Sequence, residues 1–312
     1  MLKRILEISR EPAHLSASLG QLLLKRDGAL LASVPCEDLG VVVVDHPQTT
    51  YSHAALAELT QNDTVLVICG QNHLPCGILL PVSDHSLIVT RLNSQLSMTL
   101  PTKKRLWQQI IKAKILAQAE NLPDDSKTSK RLRQLASRVR SGDPDNREAI
   151  AARFYWSAWL MESAEAAEEW TGFRRDPDGK GINSLLNYGY AILRASLARA
   201  ISSSGFHPAL GLQHSNRSNA FCLADDLIEP LRPLVDAQVR SLVFSGESEM
   251  TQSVKAVLLG LLNEEVMTGS ITGPLSIAIQ RYVSSLVAVA NQESRDLTIP
   301  VRCKSAAIAA CG

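Results

Sequence analysis

The sequence has almost no excess of either charge. Its 312 residues include 32 Lys and Arg against 31 Asp and Glu, so the chain as a whole lacks the strongly basic balance that attracts polyanions over a whole surface. Any nucleic-acid partner should therefore bind a local patch of basic residues. The six cysteines form no C-x-x-C pair, which argues against a cysteine-bound zinc site and indicates reduced thiols in the cytosol.

Long apolar runs are missing as well. No stretch approaches the ~20 apolar residues of a transmembrane helix, and charged residues interrupt the apolar segment MLKRILEISREP. We therefore expect no membrane insertion, no export and a cytoplasmic location. The sequence also has no G-x-x-x-x-G-K-[ST] phosphate loop and no G-x-S-x-G nucleophile elbow, which removes two common kinds of catalytic site.

Residues 1–98 have the short apolar period of β-strands. Asp27 and Gly28 form a typical turn pair between two apolar runs, which predicts a β-hairpin. Only one segment, SHAALAELTQN, is predicted to be a helix, and it begins after Ser52 as its N-cap. The pattern predicts a small N-terminal β-rich domain. Its expected strands are KRILEIS, QLLLKR, ALLASV, LGVVVVD, TVLVICG and CGILLPV.

After Pro101 the apolar residues recur at steps of three and four, the period of helices. The sequence therefore predicts a larger, all-helical domain over residues 99–296 and an α+β fold class for the chain. Residues 297–312 show no clear pattern and are expected to form a loose tail. The helices are predicted near 102–120, 127–140, 145–163, 181–203, 219–243, 251–268 and 273–292.

Basic residues are concentrated in one part of this second domain. Between Lys103 and Arg140 there are eleven Lys or Arg and three Asp or Glu, and no acid follows Asp125 in this segment. Salt bridges within a helix cannot account for such a run, so it is a candidate surface for a polyanion. A solvated helix face is the plainer interpretation, and composition does not decide between the two.

Acidic residues and histidine occur together farther along the chain, in the segment GLQHSNRSNAFCLADDLIEP. A loop with His214 precedes a predicted helix, on which either Asp225 or Asp226 can share a face with Glu229. Spacing does not choose between the two aspartates. Pro230 should bend or restart the helix just after Glu229 and leave that carboxylate at a kink, facing outward into a cleft.

Glu148, near the start of another predicted helix, is a further acidic candidate. A glutamate in this position most simply complements the positive end of the helix dipole. Two carboxylates and an imidazole, however, are ligands that suit Mg²⁺ or Mn²⁺, and these ions assist phosphodiester chemistry. The plainer alternative is that His214 caps a loop and the acids form a solvated helix face.

The block from Ile182 to Asp236 resembles the signature of the CRISPR-associated integrase family of spacer acquisition. It contains N-x-L-L-N-Y-G-Y-A-I-L-R, G-L-x-H and D-L-x-E-x-x-R-P in that order over more than fifty residues. Upstream, REAIAARFYW is similar to the family segment E-G-x-A-A-R-x-Y-F, although Ala149 stands where the family often has Gly. The string NAFCLADDLIEP is similar to the branch that accompanies single-protein RNA-guided effector nucleases, the type II systems.

The resemblance implies that Glu148, His214 and Glu229 are catalytic metal ligands for Mg²⁺ or Mn²⁺, with Asp226 as a secondary acidic candidate. Many relatives have aspartate at the last position, so Glu229 departs from the commonest form. The implied activity is the insertion of spacer DNA into a CRISPR array, by transesterification of 3′-hydroxyl ends at repeat boundaries, in bacterial antiviral defence. Two alternatives stay open: a DNA nuclease of repair or recombination, and a noncatalytic DNA-binding scaffold.

The resemblance also implies partners. The family forms homodimers through the β-rich domain and a heterohexamer with a small ferredoxin-fold adaptation partner, and the RNA-guided effector nuclease is a further candidate. Its substrates would be double-stranded DNA, as prespacer and as repeat array. The residues expected to contact DNA phosphates are Lys130, Arg131, Arg133, Arg153 and Arg217.

Overall fold

The computed structural model describes residues 3–71, 73, 75–82, 87–161 and 173–303. Strands dominate the first part, as the short apolar period predicts. The prediction of a single helix within residues 1–98 is wrong, however, because Ile88–Leu96 also form a helix. Helix α1 (His53–Gln61) begins after Ser52, whose side chain accepts a hydrogen bond from the backbone N–H of Ala55 at 3.1 Å, so the predicted N-cap is confirmed. The strands are β1 (Arg4–Ile8), β2 (His14–Ser18), β3 (Gln21–Arg26), β4 (Ala29–Pro35), β5 (Leu39–Val44), β6 (Thr50–Tyr51), β7 (Val65–Cys69) and β8 (Pro75–Leu79).

A central sheet connects the two parts of the chain. Its strand order is β1-β5-β7-β8, with the first three strands parallel and β8 antiparallel. Every residue of β5 is buried, as expected of a strand covered on both faces. Val41 and Val43 pack with the helices of the second part, whereas Val42 and Val44 pack with the remaining strands.

The second sheet has the strand order β4-β3-β2-β6 and packs on the outer face of the central one. Its hairpin between β3 and β4 turns at Asp27 and Gly28, which have φ angles of 48° and 82°. Positive φ at both central residues is the geometry of a type I′ turn. The predicted hairpin is confirmed, and Leu15 and Leu22, both fully buried, anchor this sheet to the core.

Helices form most of the second part, around the long and mostly buried helix α6. Helix α6 can approach α8 closely because residue 189 is glycine: a Cβ there would lie 2.4 Å from Val235. None of the described helices is long and apolar enough to cross a membrane. The helices are α2 (Ile88–Leu96), α3 (Leu100–Glu120), α4 (Lys127–Ser137), α5 (Arg147–Ala158), α6 (Ile182–Ser203), α7 (Cys222–Ile228), α8 (Arg232–Phe244), α9 (Gln252–Gly260) and α10 (Leu275–Ala290).

Pro230 divides the predicted helix over 219–243 into α7 and α8. Proline has no backbone N–H to donate and its ring clashes with the preceding turn, so the chain restarts as a new helix after Glu229. The sequence predicts this break, and it leaves Glu229 at the junction between the two helices.

A small antiparallel sheet lies in the second part, where only helices were expected. It consists of β9 (Glu265–Thr268), β10 (Ile271–Pro274) and β11 (Val301–Arg302), in the order β10-β9-β11. The prediction of a helix over 251–268 is therefore wrong at its end. Burial alternates along β9, with Val266 and Thr268 inside, and Gly269, at φ 63°, turns the chain into a hairpin.

The prediction of a loose tail from residue 297 is wrong for the first residues of that stretch. The backbone N–H of Leu297 donates to Gln109 at 2.8 Å, and that of Thr298 donates to Ser285 at 2.9 Å. Strand β11 follows and pairs with β9. Paired backbone groups hold this segment in place, and residues 304–312 lie outside the described ranges.

Candidate active site

Helix α3 carries a charged residue on its buried face. Trp107, Ile110, Ile111 and Ile115 are buried at the three- and four-residue steps of one helical face. Lys114 lies on the same face, and its side chain is only 11% exposed. A lysine in such a place requires negatively charged partners, because an unpaired buried charge is costly.

Glu148 supplies the first of these partners. It lies in the first turn of α5, where Asp143 accepts hydrogen bonds from the backbone N–H groups of Arg147 at 2.9 Å and Glu148 at 3.0 Å. Asp143 therefore satisfies two of the donors that a helix start leaves unpaired. The Glu148 carboxylate is free to reach Lys114, so capping the helix is not its role.

Glu229 supplies the second partner from the junction of α7 and α8. Its side chain is 9% exposed, and its Oε1 is 3.0 Å from Nε of Arg232 in the first turn of α8. Burial alone would raise the pKa of Glu229, but the positive charges of Lys114 and Arg232 outweigh burial and lower it. The break at Pro230 thus places an ionised carboxylate among the helices, and the prediction that it faces outward is wrong.

The ammonium of Lys114 joins the two glutamates. Its Nζ lies 2.6 Å from Oε1 of Glu148 and 2.5 Å from Oε2 of Glu229. Burial alone would lower the pKa of Lys114, but the charges of Glu229 and Glu148 more than compensate and raise it. The structure therefore brings two of the predicted metal ligands together around one cationic position.

His214, the third predicted ligand, is held beside this position by Asp226. Its Nδ1 lies 2.5 Å from Oδ1 of Asp226, and its side chain is half exposed. An Nδ1–H that donates to the carboxylate leaves Nε2 as a lone-pair nitrogen. The hydrogen bond to Asp226 raises the pKa of His214, which partial burial alone would lower, and the charge of Glu229 also raises it.

Asp226 is buried and fully occupied with the His214 loop. Its Oδ2 accepts hydrogen bonds from the backbone N–H groups of Leu212 at 2.6 Å and Gln213 at 2.9 Å. Gly211 is needed at the start of this loop, because a Cβ there would lie 2.3 Å from the carbonyl oxygen of His214 and 2.8 Å from Asp226. Asp226 thus positions the histidine and has no oxygen left over for a cation.

Asp225 lies outside the site. Its carboxylate is paired with Arg194, at 2.6 Å and 3.0 Å, and accepts a 2.6 Å hydrogen bond from Asn219. The two aspartates that spacing could not separate therefore have different partners. Only Asp226 contacts His214.

The donor set fits a divalent cation in its chemistry. Glu148 and Glu229 already share a cation, their carboxylate oxygens are ligands that suit Mg²⁺ or Mn²⁺, and His214 presents an imidazole nearby. Among the residues that the structure describes, however, no three acidic, histidine or cysteine side chains lie close enough to hold a metal ion. The ammonium of Lys114 occupies the position between the carboxylates, so the three-residue metal set stays a prediction that requires this ammonium to move.

A basic groove lies between α4 and α5, and Arg147, the residue before Glu148, is part of its lining. It is an open cavity of about 690 Å³, and its lining includes five Lys or Arg and no acid. Arg131 is fixed in it by stacking on Phe154, with its guanidinium 3.7 Å from the ring centre. The groove is lined by Lys127, Lys130, Arg131, Gln134, Leu135, Arg138, Arg147 and Ile150.

The predicted DNA-contacting residues divide in this geometry. Lys130 and Arg131 line the groove. Arg133 is on the same helix but is not part of the lining, and its guanidinium is paired with Asp124 at 2.6 Å. Arg153 and Arg217 are exposed. Sequence reasoning did not single out Lys114, Arg232 or Asp143, whose roles depend on contacts between distant segments.

A buried network lies behind the ligand-bearing helices. Asp236, on α8, accepts hydrogen bonds from the hydroxyl groups of Tyr155 on α5 and Tyr190 on α6. The guanidinium of Arg232 lies 4.7 Å from the centre of the Tyr190 ring, and Arg232 also contacts Glu229. Asp236 thus links the helix that carries Glu148 to the one that follows Glu229.

Known proteins match nearly the whole chain. The family model of "CRISPR associated protein Cas1" matches residues 6–269. The CRISPR-associated endonuclease Cas1 of Neisseria meningitidis serogroup C (strain 8013) is 38% identical, over 92% of this chain and 92% of its own.

Two solved structures have the same fold. A casposase bound to integration product has a TM-score of 0.74 at 19% identity and covers 95% of this chain and 93% of its own. A Cas6-RT-Cas1–Cas2 complex has a TM-score of 0.75 at 17% identity, over 94% of this chain and 35% of that chain. The family model and the Neisseria relative go beyond fold: the chain belongs to the Cas1 family of CRISPR-associated proteins.

Proposed function

We propose that this chain is a metal-dependent DNA integrase and endonuclease that inserts new spacers into a CRISPR array. The observation that carries the proposal is the shared cationic position of Glu148 and Glu229, together with a groove of basic residues whose lining includes Arg147, the residue before Glu148. Carboxylates that converge in this way suit a divalent ion, and basic grooves suit DNA phosphates. The names of the Neisseria relative, an endonuclease, and of the casposase bound to integration product add support.

In this proposal Glu148, Glu229 and His214 hold Mg²⁺ or Mn²⁺. A bound ion would polarise the phosphate and stabilise the charge that develops on its oxygens. Asp226 keeps the His214 ring in one orientation with Nε2 available, through the 2.5 Å contact at Nδ1. Arg232 holds Oε1 of Glu229 from the other side, which limits how this carboxylate can turn.

The proposed reaction is a transesterification. A 3′-hydroxyl oxygen of the spacer DNA attacks a phosphorus atom at a repeat boundary, and the former 3′ oxygen of the repeat strand leaves with the proton that the hydroxyl gives up. One phosphodiester bond forms and one breaks, so no cofactor is consumed. The basic groove would position the duplex, because holding both reactants in line supplies much of the rate enhancement.

The proposed assembly rests on the family to which the chain belongs. We infer a homodimer through the β-rich part and a heterohexamer with a small ferredoxin-fold adaptation partner, with the effector nuclease as a further partner. The structural neighbour that is a Cas6-RT-Cas1–Cas2 complex contains Cas1 together with Cas2, which is consistent with such a partner. The substrates would be the prespacer duplex and the repeat array.

The test is strand transfer into a plasmid that carries a repeat array. The duplex ends in 3′-hydroxyls, and the adaptation partner and Mn²⁺ are present. Glu148→Gln, His214→Ala and Glu229→Gln should each lower joining by at least ~100-fold, because each removes a ligand of the reacting centre. Glu265→Gln, an exposed glutamate on β9, is the matched control and should join DNA normally.

The same assay separates the alternatives. Cleavage of DNA by the wild type, without joining at the repeat, would favour a nuclease of repair or recombination. DNA binding that is indifferent to chelator and to all three substitutions would favour a noncatalytic scaffold. Normal joining by the three variants would overturn the proposed site.

A further inference from the structure

We propose that Lys114 is an internal competitor of the metal ion, which keeps the site closed until DNA takes over its ammonium group. This inference rests on the proposed function and concerns the order in which metal and DNA bind. The ammonium of Lys114 lies within 2.6 Å of oxygens from both Glu148 and Glu229, which are the oxygens that a metal ion would need.

The carboxylate oxygens at this centre are largely in use. Oε1 of Glu148 and Oε2 of Glu229 contact Lys114, and Oε1 of Glu229 contacts Arg232. A divalent ion that bridged the two glutamates would take the place of the Lys114 ammonium, which contacts both of them. Arg232 is also stacked on Tyr190, whereas Lys114 has a flexible four-carbon stem, so Lys114 is the cation that can leave.

The local charge supports the same conclusion. Two carboxylates with Lys114 and Arg232 are neutral together, and adding a divalent ion without moving either cation would place three positive groups around two negative ones. Repulsion between charges a few ångströms apart, in a site where both carboxylates are mostly buried, is poorly screened. The displaced ammonium consequently needs a new anion.

A DNA phosphate is the anion that the surroundings can deliver. The basic groove reaches Arg147 and Ile150, which lie one residue before and two residues after Glu148 on α5. A duplex in this groove would bring its phosphates to the edge of the site, where the Lys114 ammonium could pair with one. Metal and DNA would then each strengthen the binding of the other, since linkage between two ligands is reciprocal.

The experiment measures Mn²⁺ affinity of the full chain by electron paramagnetic resonance at pH 8. The added duplex ends in 3′-deoxy nucleotides so that no joining occurs, and duplex without protein is the blank. Wild type should bind Mn²⁺ weakly alone and about tenfold more tightly with the duplex, a change of ~1.4 kcal/mol. Lys114→Met should bind Mn²⁺ about tenfold more tightly without DNA, and the duplex should add little.

Two further variants make the result specific to Lys114. Lys112→Met is the matched control, because Lys112 is exposed on the same helix, and it should behave as wild type. Lys114→Arg keeps a cation that can bridge both carboxylates and should restore weak binding. Circular dichroism checks that each variant is folded.

The outcomes distinguish this inference from the proposed function. If Lys114→Met binds Mn²⁺ no more tightly than wild type, or if wild type binds Mn²⁺ equally with and without DNA, the competitor role is wrong while the metal site stands. If neither the wild type nor Lys114→Met binds Mn²⁺ at millimolar concentration, with or without the duplex, the metal site itself is wrong. Equal Mn²⁺ binding by wild type with and without DNA would overturn the inference even if Lys114→Met does not fold, and Lys114→Arg gives a second variant at the same residue.

Discussion

Nδ1 of His214 lies 2.5 Å from Oδ1 of Asp226, so a half-exposed imidazole is held by a fully buried carboxylate. Asp226 also holds the backbone of the loop that carries the histidine. One carboxylate thus fixes both the path of the loop and the orientation of the ring. Because such an outer partner sets which nitrogen is free to bind, Asp226 should matter for activity without touching a metal.

Replacing Asp226 with Asn tests this positioning role. The amide has only one acceptor oxygen and cannot serve His214 and the loop N–H groups together, so the ring should lose its fixed orientation. We expect strand transfer to fall about 10- to 100-fold, the usual effect of such a substitution. Mn²⁺ affinity, measured by titration, should weaken in parallel.

Asp225→Asn is the control for that experiment. Asp225 is the neighbour in sequence but pairs with Arg194 and Asn219, so its loss should affect stability more than Mn²⁺ affinity. Equal losses of Mn²⁺ affinity in both variants would contradict a specific role for Asp226.

Gly211 provides a steric test of the same loop. Gly211→Ala places a Cβ 2.3 Å from the carbonyl oxygen of His214 and 2.8 Å from Asp226, so the loop must shift. Crowding of this kind costs about 1–3 kcal/mol, which thermal unfolding would measure, and activity should fall as well. Gly260→Ala is the control, because nothing lies within 4 Å of a Cβ at that residue; a lowered melting temperature in the control alone would contradict this account.

Local sequence patterns were enough to predict most strands and helices. The β3–β4 hairpin follows from Asp27 and Gly28, and the break between α7 and α8 follows from Pro230, because each depends on residues close together in the chain. The sheet of β9, β10 and β11 was not predicted. Strands β9 and β10 form a local hairpin, but each has only four residues, too few to show a clear alternation. The third strand comes from residues 301–302, and pairing with a segment far away in sequence leaves no local pattern.

The candidate site shows the same limit. Glu148, His214, Asp226 and Glu229 could be named from their motifs, but Lys114 could not. Its partners lie 34 and 115 residues away in sequence, and a lysine in a helix usually faces solvent. The one available signal was its spacing from Ile110 and Ile111, which puts it on the apolar face of α3.

The basic groove predicts which cations bind DNA. Lys130→Ala with Arg131→Ala removes two groups that line it, so DNA affinity should fall and the slope of log affinity against log salt should decrease by about 0.9 for each lost phosphate contact. Fluorescence anisotropy at several salt concentrations measures both quantities. Arg133→Ala is the matched control, since that guanidinium pairs with Asp124 outside the lining. An equal effect from Arg133→Ala would place the DNA elsewhere.

Asp236 predicts a pH dependence of stability. Burial raises the pKa of Asp236 to about 6, although the hydrogen bonds from Tyr190 and Tyr155 act to lower it. In the unfolded chain this carboxyl releases its proton near pH 4. Between pH ~4 and 6 the folded protein therefore holds a proton that the unfolded chain has lost, so the contribution of Asp236 to stability falls as pH rises and is level above about 6.

Asp236→Asn removes this titration and leaves the other groups unchanged, so the difference in unfolding free energy between wild type and variant isolates it. Relative to the variant, the unfolding free energy of the wild type should fall by up to ~3 kcal/mol from pH 4 to pH 7. Urea unfolding at each pH would measure it. Asp225→Asn should show the opposite dependence on pH. Burial alone would raise the pKa of Asp225, but Arg194 and Asn219 lower it. The contribution of Asp225 to stability is therefore lost as pH falls. A level difference for Asp236→Asn across this range would mean that the carboxyl is already ionised at pH 4 in the folded protein, held so by the two tyrosines and Arg232.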